Sequence, residues 1–517
     1  MVTTSNYKWH VLCIVMIGTL MSALDASIVN VCIPAIMADF GSSLGEIEWV
    51  ITSYMLAFAS FMPLTAWLRD IVGPKQLYVG SLIVFTAGSV LCGVAWNLPT
   101  LVVARVIQAI GGGAVTPTGM AMITETFEPH ERGKALGFWG MGAVMGPAFG
   151  PTVGGLLTKH FGWPSIFWIN LPIGIIAVIY AVKVLRAEVP DSSAKRPFDA
   201  SGFAFLVLFL ATFLLGMSKG GTEGWTSTYV ITCCLLAFIG LVGFLTVELQ
   251  VPNRIMDLGL LKEPVFAACV TLTAVRSLAL YGGSFLLPVF LQNFKNMDEV
   301  QSGLILLPGS LLMGLLMPFA GRLGDKVSPR RMAFVGFVLL GFFFYEYRTL
   351  DVETSNWGII WPTIIRGVGI ATLIAPLTAT AMNAVPRKKA GMASSMLNIV
   401  QQVGGSVGIA ILSIVLQRRS THHLDLIGTY MSTSTPAFQQ AQARLMSRAH
   451  DLGYTHLESA RIASQTIGSR IFQASGVRAF QDAFLVGALM TFLTVLLVIF
   501  LPDKAHIHKS AEPIHLE

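Results

Sequence analysis

Long apolar segments occupy most of this 517-residue chain and restrict the folds that it can adopt. Hydrophobic residues make up 54% of the sequence and charged residues only 12%, and the mean hydropathy is +0.68. A soluble domain contains about a quarter charged residues, whereas a membrane-spanning helix needs about 20 predominantly apolar residues. About fourteen segments meet that length requirement. The sequence therefore predicts an all-α, polytopic membrane protein with 14 transmembrane helices.

The formal net charge of +6 is distributed unevenly over the connections between these spans. Connections on one side are rich in bases, for example Arg132, Lys134, Arg330 and Arg331, whereas short connections on the other side carry acids such as Asp298. Cytoplasmic loops of membrane proteins carry this kind of lysine and arginine excess. The pattern predicts that both termini are cytoplasmic, and it explains the basic charge without a nucleic-acid partner.

An internal repeat divides the chain into two halves. Residues 66–77 read AWLRDIVGPKQL and residues 321–332 read GRLGDKVSPRRM, with leucine, aspartate, proline and a base at equal spacing. Repeated halves that meet at a central site are common in transporters. We predict a 6 + 2 + 6 arrangement, with residues 187–197 as the first linker. Its parts are an N-terminal six-helix bundle (1–190), an inserted two-helix region (191–263) and a C-terminal six-helix bundle (264–517).

A mostly polar segment, residues 417–476, separates the last two predicted spans. Thr435 before a proline is a typical helix start, and Thr455 with Glu458 forms a capping-box pattern. Gly476 predicts a helix stop. We expect an extramembrane helical element on the outer side, which either covers the outer mouth as a lid or docks a partner.

The fifth predicted span, GFWGMGAVMGPAFGPTVGG over residues 137–155, has small residues at regular positions. The motif consists of Gly137, Gly146, Gly150, Pro151, Gly154 and Gly155. Small residues three and four apart let a neighbouring helix approach closely in lipid, and a proline permits a kink. We interpret the motif as part of a conformational switch, although a plain packing surface would have the same composition.

Asp25 lies deep in the first predicted span, about 13 Å below its outer end, and Arg105 lies about 9 Å below the outer end of the fourth. An ionisable residue inside a span is costly and indicates a function. Burial opposes ionisation of a carboxyl group, whereas a neighbouring cation favours it. We predict that Asp25 carries a coupling proton and that Arg105 is its partner. The alternatives are a permanent ion pair and an arginine that extends to the membrane interface.

Two further sets of polar residues are candidates for roles in transport. Asp70 and Asp325, the repeated loop aspartates, could hold helix ends in one access state and release them in the other, or could simply cap those ends. The remaining polar residues within spans are candidates for a substrate cavity or for hydrogen bonds between helices, and the two arginines among them could attract an anionic substrate group or pair with backbone carbonyls. They are Gln108, Arg276, Tyr281, Arg366, Asn398, Gln401 and Gln402.

Several sequence patterns of other protein classes are absent. The sequence has no GxxxxGK[ST] phosphate loop, no HExxH pattern and no nucleophile–base arrangement, so it indicates neither an ATP motor nor an enzyme. The six cysteines fall within predicted spans and show no metal or disulfide spacing. We expect no metal site and no cofactor, with the proton as the coupling ion.

These features together resemble the fourteen-spanner drug:proton antiporters of the major facilitator superfamily, the EmrB-like multidrug efflux pumps. The resemblance rests on LDASIVNVCIP at 24–34, on RVIQ at 105–108, on the glycine motif, on the inserted helix pair and on the long segment before the last span. It implies that Asp25 is similar to the family's proton-coupling acid and Arg105 to its fourth-span arginine.

The same resemblance implies proton-driven efflux of hydrophobic or amphipathic drugs at a bacterial inner membrane. It also implies a periplasmic membrane-fusion adaptor and a TolC-like outer-membrane channel as partners. Two alternatives are a dedicated exporter of one metabolite or fatty acid, and a non-transporting sensor or accessory subunit. The chain departs from the usual family pattern at Ala66, Ile71, Ala109 and Ser328.

Overall fold

The computed structural model describes residues 4–186, 198–251, 254–431 and 435–503, and within these ranges it contains helices and no β-strand. The predicted linker 187–197 lies outside the described residues. The α-helices are α1 (Thr4–Phe40), α2 (Leu44–Phe61), α3 (Leu64–Val72), α4 (Pro74–Gly93), α5 (Leu98–Thr126), α6 (Arg132–Phe161), α7 (Ser165–Trp168), α8 (Asn170–Val184), α9 (Ala200–Glu223), α10 (Thr228–Gln250), α11 (Pro264–Phe294), α12 (Glu299–Gly324), α13 (Pro329–Glu346), α14 (Asn356–Asn383), α15 (Ala390–Tyr430), α16 (Pro436–Asp451) and α17 (His456–Leu497). Short 3-10 helices lie at Leu258–Lys262, Tyr347–Thr349, Arg387–Lys389 and Val498–Phe500.

In the described part of the chain, 12 helical segments are long and apolar enough to cross a membrane. The pair α2 and α3, bent by 56°, makes a thirteenth if it forms one span. Helix α6 is not in this set because its many glycines and two prolines lower its hydropathy, yet its 30 residues would extend about 45 Å. The predicted all-α fold is confirmed, whereas the number fourteen and the cytoplasmic termini stay predictions.

Helix starts are encoded locally in the connections. Asn97 caps α5 by accepting a hydrogen bond from the Thr100 amide, and Asp298 caps α12 in the same way through Gln301. Capping satisfies backbone donors that the first helical turn leaves without partners. These short polar connections therefore fix where each span begins.

The helices pack as two bundles with an inserted pair beside them. In the N-terminal half α1 packs on α5 and α6, and α4 packs on α5 and α8. In the C-terminal half α11 packs on α15, and α12 and α13 pack on α14. The halves meet where α6 lies against α12 and α5 against α15, while α9 contacts both α2 and α15. Helix α6 is therefore a central element of the contact between the halves.

The segment 417–476 is largely helical in its described residues. Helix α15 continues to Tyr430, α16 packs on α17, and α17 begins at a capping box formed by Thr455 and Glu458. Gly453, with φ at +92°, lies in the turn between α16 and α17. The predicted helix stop at Gly476 is wrong, because α17 runs on through this glycine, whose missing side chain leaves room for the Phe294 ring.

Candidate proton and substrate sites

Asp25 lies at the centre of a fully buried polar cluster in the N-terminal half. Its Oδ2 accepts a hydrogen bond from Arg105 Nη1 at 2.6 Å, which makes the two side chains an ion pair. Its Oδ1 accepts hydrogen bonds from Gln108 Nε2 at 2.8 Å and from Asn170 Nδ2 at 2.9 Å. The four side chains come from α1, α5 and α8. The structure therefore brings Asp25 and Arg105 into contact.

The Arg105 guanidinium is held from other directions as well. It lies 3.9 Å from the centre of the Tyr54 ring, and its Nε donates to the Val50 carbonyl oxygen at 3.3 Å. Arg105 is only 1% exposed, so it does not extend to a membrane interface. A carboxylate, a backbone carbonyl and an aromatic face therefore surround the cation. The positive charge of Arg105 and the negative charge of Asp25 cancel, so the net charge of the cluster is zero.

Gln108, a candidate for the substrate cavity or for hydrogen bonds between helices, belongs to the Asp25 cluster. Its amide donates to Asp25, its Oε1 accepts from Arg105 Nη1 at 2.7 Å, and the residue has no exposed surface. Gln108 and Arg105 lie one helical turn apart on the same face of α5, and that face is directed towards α1. The amide therefore completes the hydrogen bonding of the ion pair.

A separate cavity of about 410 Å³ lies between α6 and the C-terminal half. It extends from Met317, near one end of α12, towards Gly303 at the other. Asp25 is not among its lining residues, so the ion pair and the cavity are separate sites in this conformation. The cavity is lined by Trp139, Gly140, Ala143, Val144, Pro147, Ala148, Pro151, Thr152, Leu280, Tyr281, Ser284, Gly303, Leu306, Leu307, Ser310, Met313, Met317, Arg366, Ile374 and Gln401.

Three predicted cavity residues, Tyr281, Arg366 and Gln401, line this cavity. Arg276 lies behind them, with its Nη2 donating to Gln401 Oε1 at 2.7 Å. Asn398 is not part of the lining.

The side chain of Asn398 instead donates to the carbonyl oxygen of Ser394 at 2.8 Å. This acceptor lies one turn earlier on the same helix. Gln402 also lies outside the lining, since it follows Gln401 and is rotated by about 100° around the axis of α15. Sequence reasoning therefore placed three of the seven cavity candidates at the cavity wall.

Helix α6 lies between the cavity and α1, the helix that carries Asp25, and it contacts both. Pro147 and Pro151 line the cavity. On another face, Gly146 packs directly on α1, where an added Cβ would lie 2.5 Å from the backbone nitrogen of Leu24. Such backbone contact requires glycine. A shift of α1 next to Asp25 would therefore press on the helix that forms one wall of the cavity.

The other glycines of the motif differ in how tightly they are packed. A side chain at Gly150 would overlap Ser27, and one at Gly154 would come within 2.7 Å of Ile28. Gly155 has no neighbouring atom closer than 3.9 Å to an added Cβ. The close approach of α1 and α6 therefore depends on Gly146, Gly150 and Gly154, and not on Gly155.

The two halves are in tight contact at one end of α6 and α12. An added Cβ on Gly137 would lie 2.5 Å from the Met317 carbonyl oxygen, and one on Gly321 would overlap the carbonyl oxygen of Gly133. Arg132 Nη1 donates to Asn383 Oδ1 at 2.6 Å across the same boundary. The predicted topology makes this the cytoplasmic end, so the structure has that end closed.

Asp325 joins the halves at this closed end. Its Oδ1 and Oδ2 accept hydrogen bonds from the backbone amides of Gly133 at 2.9 Å and Lys134 at 3.0 Å. These amides belong to the first turn of α6, where the helix dipole favours a negative group. An aspartate of the C-terminal half thus caps a helix of the N-terminal half.

Asp70 occupies the equivalent position of the repeat, on α3. Its neighbour Arg69 forms an ion pair with Glu125 of α5, and Thr65 Oγ1 lies 3.0 Å from Ser395 Oγ of α15. Helix α3 therefore also contacts the opposite half. A switching role for either aspartate stays a prediction.

Comparison with known proteins identifies the family. The sequence profile of the Major Facilitator Superfamily matches residues 15–409. The chain belongs to the Major Facilitator Superfamily. A solved structure of a double-tryptophan XylE mutant shares the fold, with a TM-score of 0.64 at 11% identity over 97% of each chain.

Two relatives within the superfamily have named transport activities. The chain is 32% identical over 454 residues to the multidrug export protein EmrB of Escherichia coli (strain K12), covering 87% of this chain and 88% of EmrB. It is 33% identical over 416 residues to the riboflavin transporter RibZ of Clostridioides difficile (strain 630), covering 80% of this chain and 90% of RibZ. This member of the superfamily is therefore a multi-pass membrane transporter.

Sequence reasoning missed two residues of the Asp25 cluster in this superfamily member. Asn170 begins α8 after the short helix α7, and its amide bridges Asp25 and Ser89 Oγ, the latter at 3.0 Å. Tyr54 stacks on Arg105. An amide between two apolar runs, in WINLP at 168–172, was the available signal for Asn170, whereas an aromatic residue within a span carries no comparable signal.

The charge of Asp325 makes the closed end sensitive to pH. Burial raises the pKa of this carboxyl from 3.8 to about 6, the two backbone donors and His130 oppose the rise, and Glu131 adds to it. The closed arrangement holds the proton more tightly than a solvated carboxyl does, so protonation stabilises closure. This stabilisation is complete below pH 3.8 and is lost as the pH rises through about 6.

We therefore expect the closed population to fall between about pH 4 and pH 6, and Asp325→Asn to remove this dependence. Double electron–electron resonance between spin labels at Val72→Cys and Arg331→Cys, in a background without native cysteines, measures the separation of the halves. Both labelled side chains are exposed. An unchanged pH profile in the Asp325→Asn variant would assign the titration to another group.

Proposed function

We propose that this transporter exports hydrophobic or amphipathic compounds in exchange for protons by alternating access. The observation that carries the proposal is that α1, which carries Asp25 of the ion pair with Arg105, packs closely on α6, the helix that forms one wall of the cavity. An ion pair that is buried on all sides is costly to form. Protonation of Asp25 would remove the negative charge of the pair, and this change would favour one of two conformations over the other.

The proposed coupling runs through helix contacts. Protonation of Asp25 removes the negative charge that attracts Arg105, and it changes one acceptor into a donor facing Gln108 and Asn170. The contacts of α1 with α5 and α8 weaken, and α1 shifts against Gly146. Helix α6 transmits the shift to the cavity and to the closed end at Asp325. In this conformation proton and substrate occupy different sites, so their competition acts through α6 and not through direct exclusion.

The relatives support a place in drug export. EmrB is named as a multidrug export protein, and the similarity covers most of both chains. We extend the proposal to the bacterial inner membrane, with a periplasmic membrane-fusion adaptor and a TolC-like channel as partners. The helical segment formed by α16 and the first part of α17 is either the surface that docks the adaptor or a lid over the outer mouth.

A second candidate function is the export of one metabolite. It is favoured by the similarity to RibZ, a riboflavin transporter, and by polar groups in the cavity wall. Tyr281, Ser284 and Gln401 offer both donors and acceptors to a polar substrate. A broad drug exporter and a dedicated exporter differ in the number of unrelated compounds that they move.

Proteoliposomes with an imposed pH gradient test the proposal. We expect several unrelated lipophilic compounds to dissipate the gradient only when the protein is present. Protein-free liposomes and liposomes that contain the Gly155→Ala variant are the controls, and the variant should behave like the wild type. Dissipation by a single metabolite would select the dedicated exporter. A lack of proton movement with every compound, although the compounds are transported, would contradict antiport.

A further inference from the structure

Two buried guanidinium groups of the C-terminal half have no acidic partner among the described residues. Arg276 is 1% exposed and Arg366 is 7% exposed. No carboxylate of the described residues lies within ion-pair distance of either group. This differs from the N-terminal half, where Asp25 neutralises the equally buried Arg105.

The two arginines have few hydrogen-bond partners, and the bonding of Arg276 is incomplete. Arg276 donates from Nη2 to Gln401, but its Nε and Nη1 are buried without a hydrogen-bond partner. Arg366 donates from Nη1 to Ser284 Oγ at 3.2 Å and lies 5.3 Å from the centre of the Phe343 ring. A hydroxyl and an aromatic face leave a full positive charge uncompensated.

One of these two cations, Arg366, lies at the cavity wall, and Arg276 lies behind that wall. Arg366 lines the cavity and is the only charged residue among the lining side chains of the described chain. Gln401 also lines it and connects Arg276 to the same wall. The electrostatic potential in this region is therefore positive, and low-polarity surroundings strengthen it.

The cavity walls formed by α6 and α12 are mostly apolar. Helix α6 presents Val144, Pro147 and Ala148, and α12 adds Leu306 and Met313. A molecule that fills the cavity would thus place an apolar body against α6 and α12, and a polar group against α11, α14 and α15.

We propose that the cavity binds amphipathic organic anions, with the anionic group held at Arg366 and Gln401 and with Arg276 behind them. This inference rests on the proposed function and specifies its substrate class. An uncompensated cation in a membrane protein is costly, and carboxylate, sulfonate or phosphate oxygens fit the planar donor array of a guanidinium. Lipophilic cations would be repelled by the same charge.

Equilibrium binding to the purified full-length protein in detergent tests the substrate class. The probes are 8-anilinonaphthalene-1-sulfonate and N-phenyl-1-naphthylamine, which share an aromatic body and differ in the sulfonate. Arg366→Gln is expected to weaken sulfonate binding by about tenfold or more, since a charge-assisted contact is lost. Binding of the uncharged amine should stay within about twofold of the wild type, because apolar contacts remain.

Matched variants separate charge from folding. Arg366→Lys should retain more sulfonate binding than Arg366→Gln, and Arg448→Gln on the exposed surface of α16 should bind both probes as the wild type does. Retained binding of the uncharged amine shows that the cavity is intact. Arg276→Gln is a second variant, which we also expect to weaken sulfonate binding and to leave binding of the uncharged amine unchanged.

The proposal is overturned if a variant at either position binds the uncharged amine normally and also binds the sulfonate as the wild type does. Preferential binding of the cation ethidium by the wild type would overturn it as well. Failure of antiport is a distinct result, because it would abolish proton flux in proteoliposomes while sulfonate binding in detergent stayed dependent on Arg366.

Discussion

Gly137→Ala is expected to prevent closure of the halves at the predicted cytoplasmic end and to abolish most transport. An added Cβ would lie 2.5 Å from the Met317 carbonyl oxygen and 3.0 Å from the Pro318 Cα. These are backbone atoms, so relief requires the two helices to separate. Overpacking in a tight interface costs about 1–3 kcal/mol, which corresponds to a shift of the equilibrium away from closure by about fivefold to 150-fold.

Gly155→Ala is the matched control for this prediction, because it adds the same methyl group to the same helix. Its Cβ would have only ordinary contact with its surroundings. Spin-label distances between Val72→Cys and Arg331→Cys should lengthen in the Gly137→Ala variant and stay unchanged in the control. Gly321→Ala should act like Gly137→Ala from the other half. A short distance retained in both variants would show that these glycines do not control closure.

Removal of either partner from the Asp25–Arg105 pair is expected to have the largest effect on both coupling and stability. Arg105→Gln leaves a carboxylate buried without a cation, and Asp25→Asn leaves a guanidinium without an acid. Breaking a buried ion pair in this way costs about 3–5 kcal/mol. The double variant removes both charges, and we expect it to be more stable than either single variant.

Thermal unfolding in detergent and proton flux in proteoliposomes distinguish the two roles of the pair. The double variant should recover much of the melting temperature lost in the single variants, because the energies of contacting groups are not additive. None of the three variants should couple substrate movement to protons. Additive losses of stability would show that the contact between the two side chains is not the source of the effect.

The sequence predicted the ion pair because ionisable residues inside spans are rare and require partners. Asp25 and Arg105 were placed at similar depths, and depth follows from helical rise alone. The rotation of each helix about its axis does not follow from helical rise, because packing against neighbouring helices determines it. The sequence therefore left open whether Gln108 faces a cavity or a neighbouring helix, and Asn170 was missed.

Contacts between the halves were the least predictable part of the fold. The repeat identified Asp325 as a residue of interest, but its acceptance of two amides from α6 depends on how the bundles dock. The glycine motif predicted close helix packing, while the identity of its partners, α1 on one face and α12 near Gly137, required tertiary structure. At Gly476 the local sequence signal was misleading. The glycine predicted a helix stop, but α17 continues through it and packs there against Phe294.

Proton release on substrate binding tests the role of Asp25 most directly. Purified protein in weakly buffered detergent solution is mixed with a compound that the wild type transports, and a pH-indicator dye reports the released protons. When the starting pH is low enough to protonate Asp25 before mixing, the wild type should release protons in proportion to the bound substrate, whereas Asp25→Asn should bind the compound and release none. Equal proton release by both proteins would contradict coupling through Asp25.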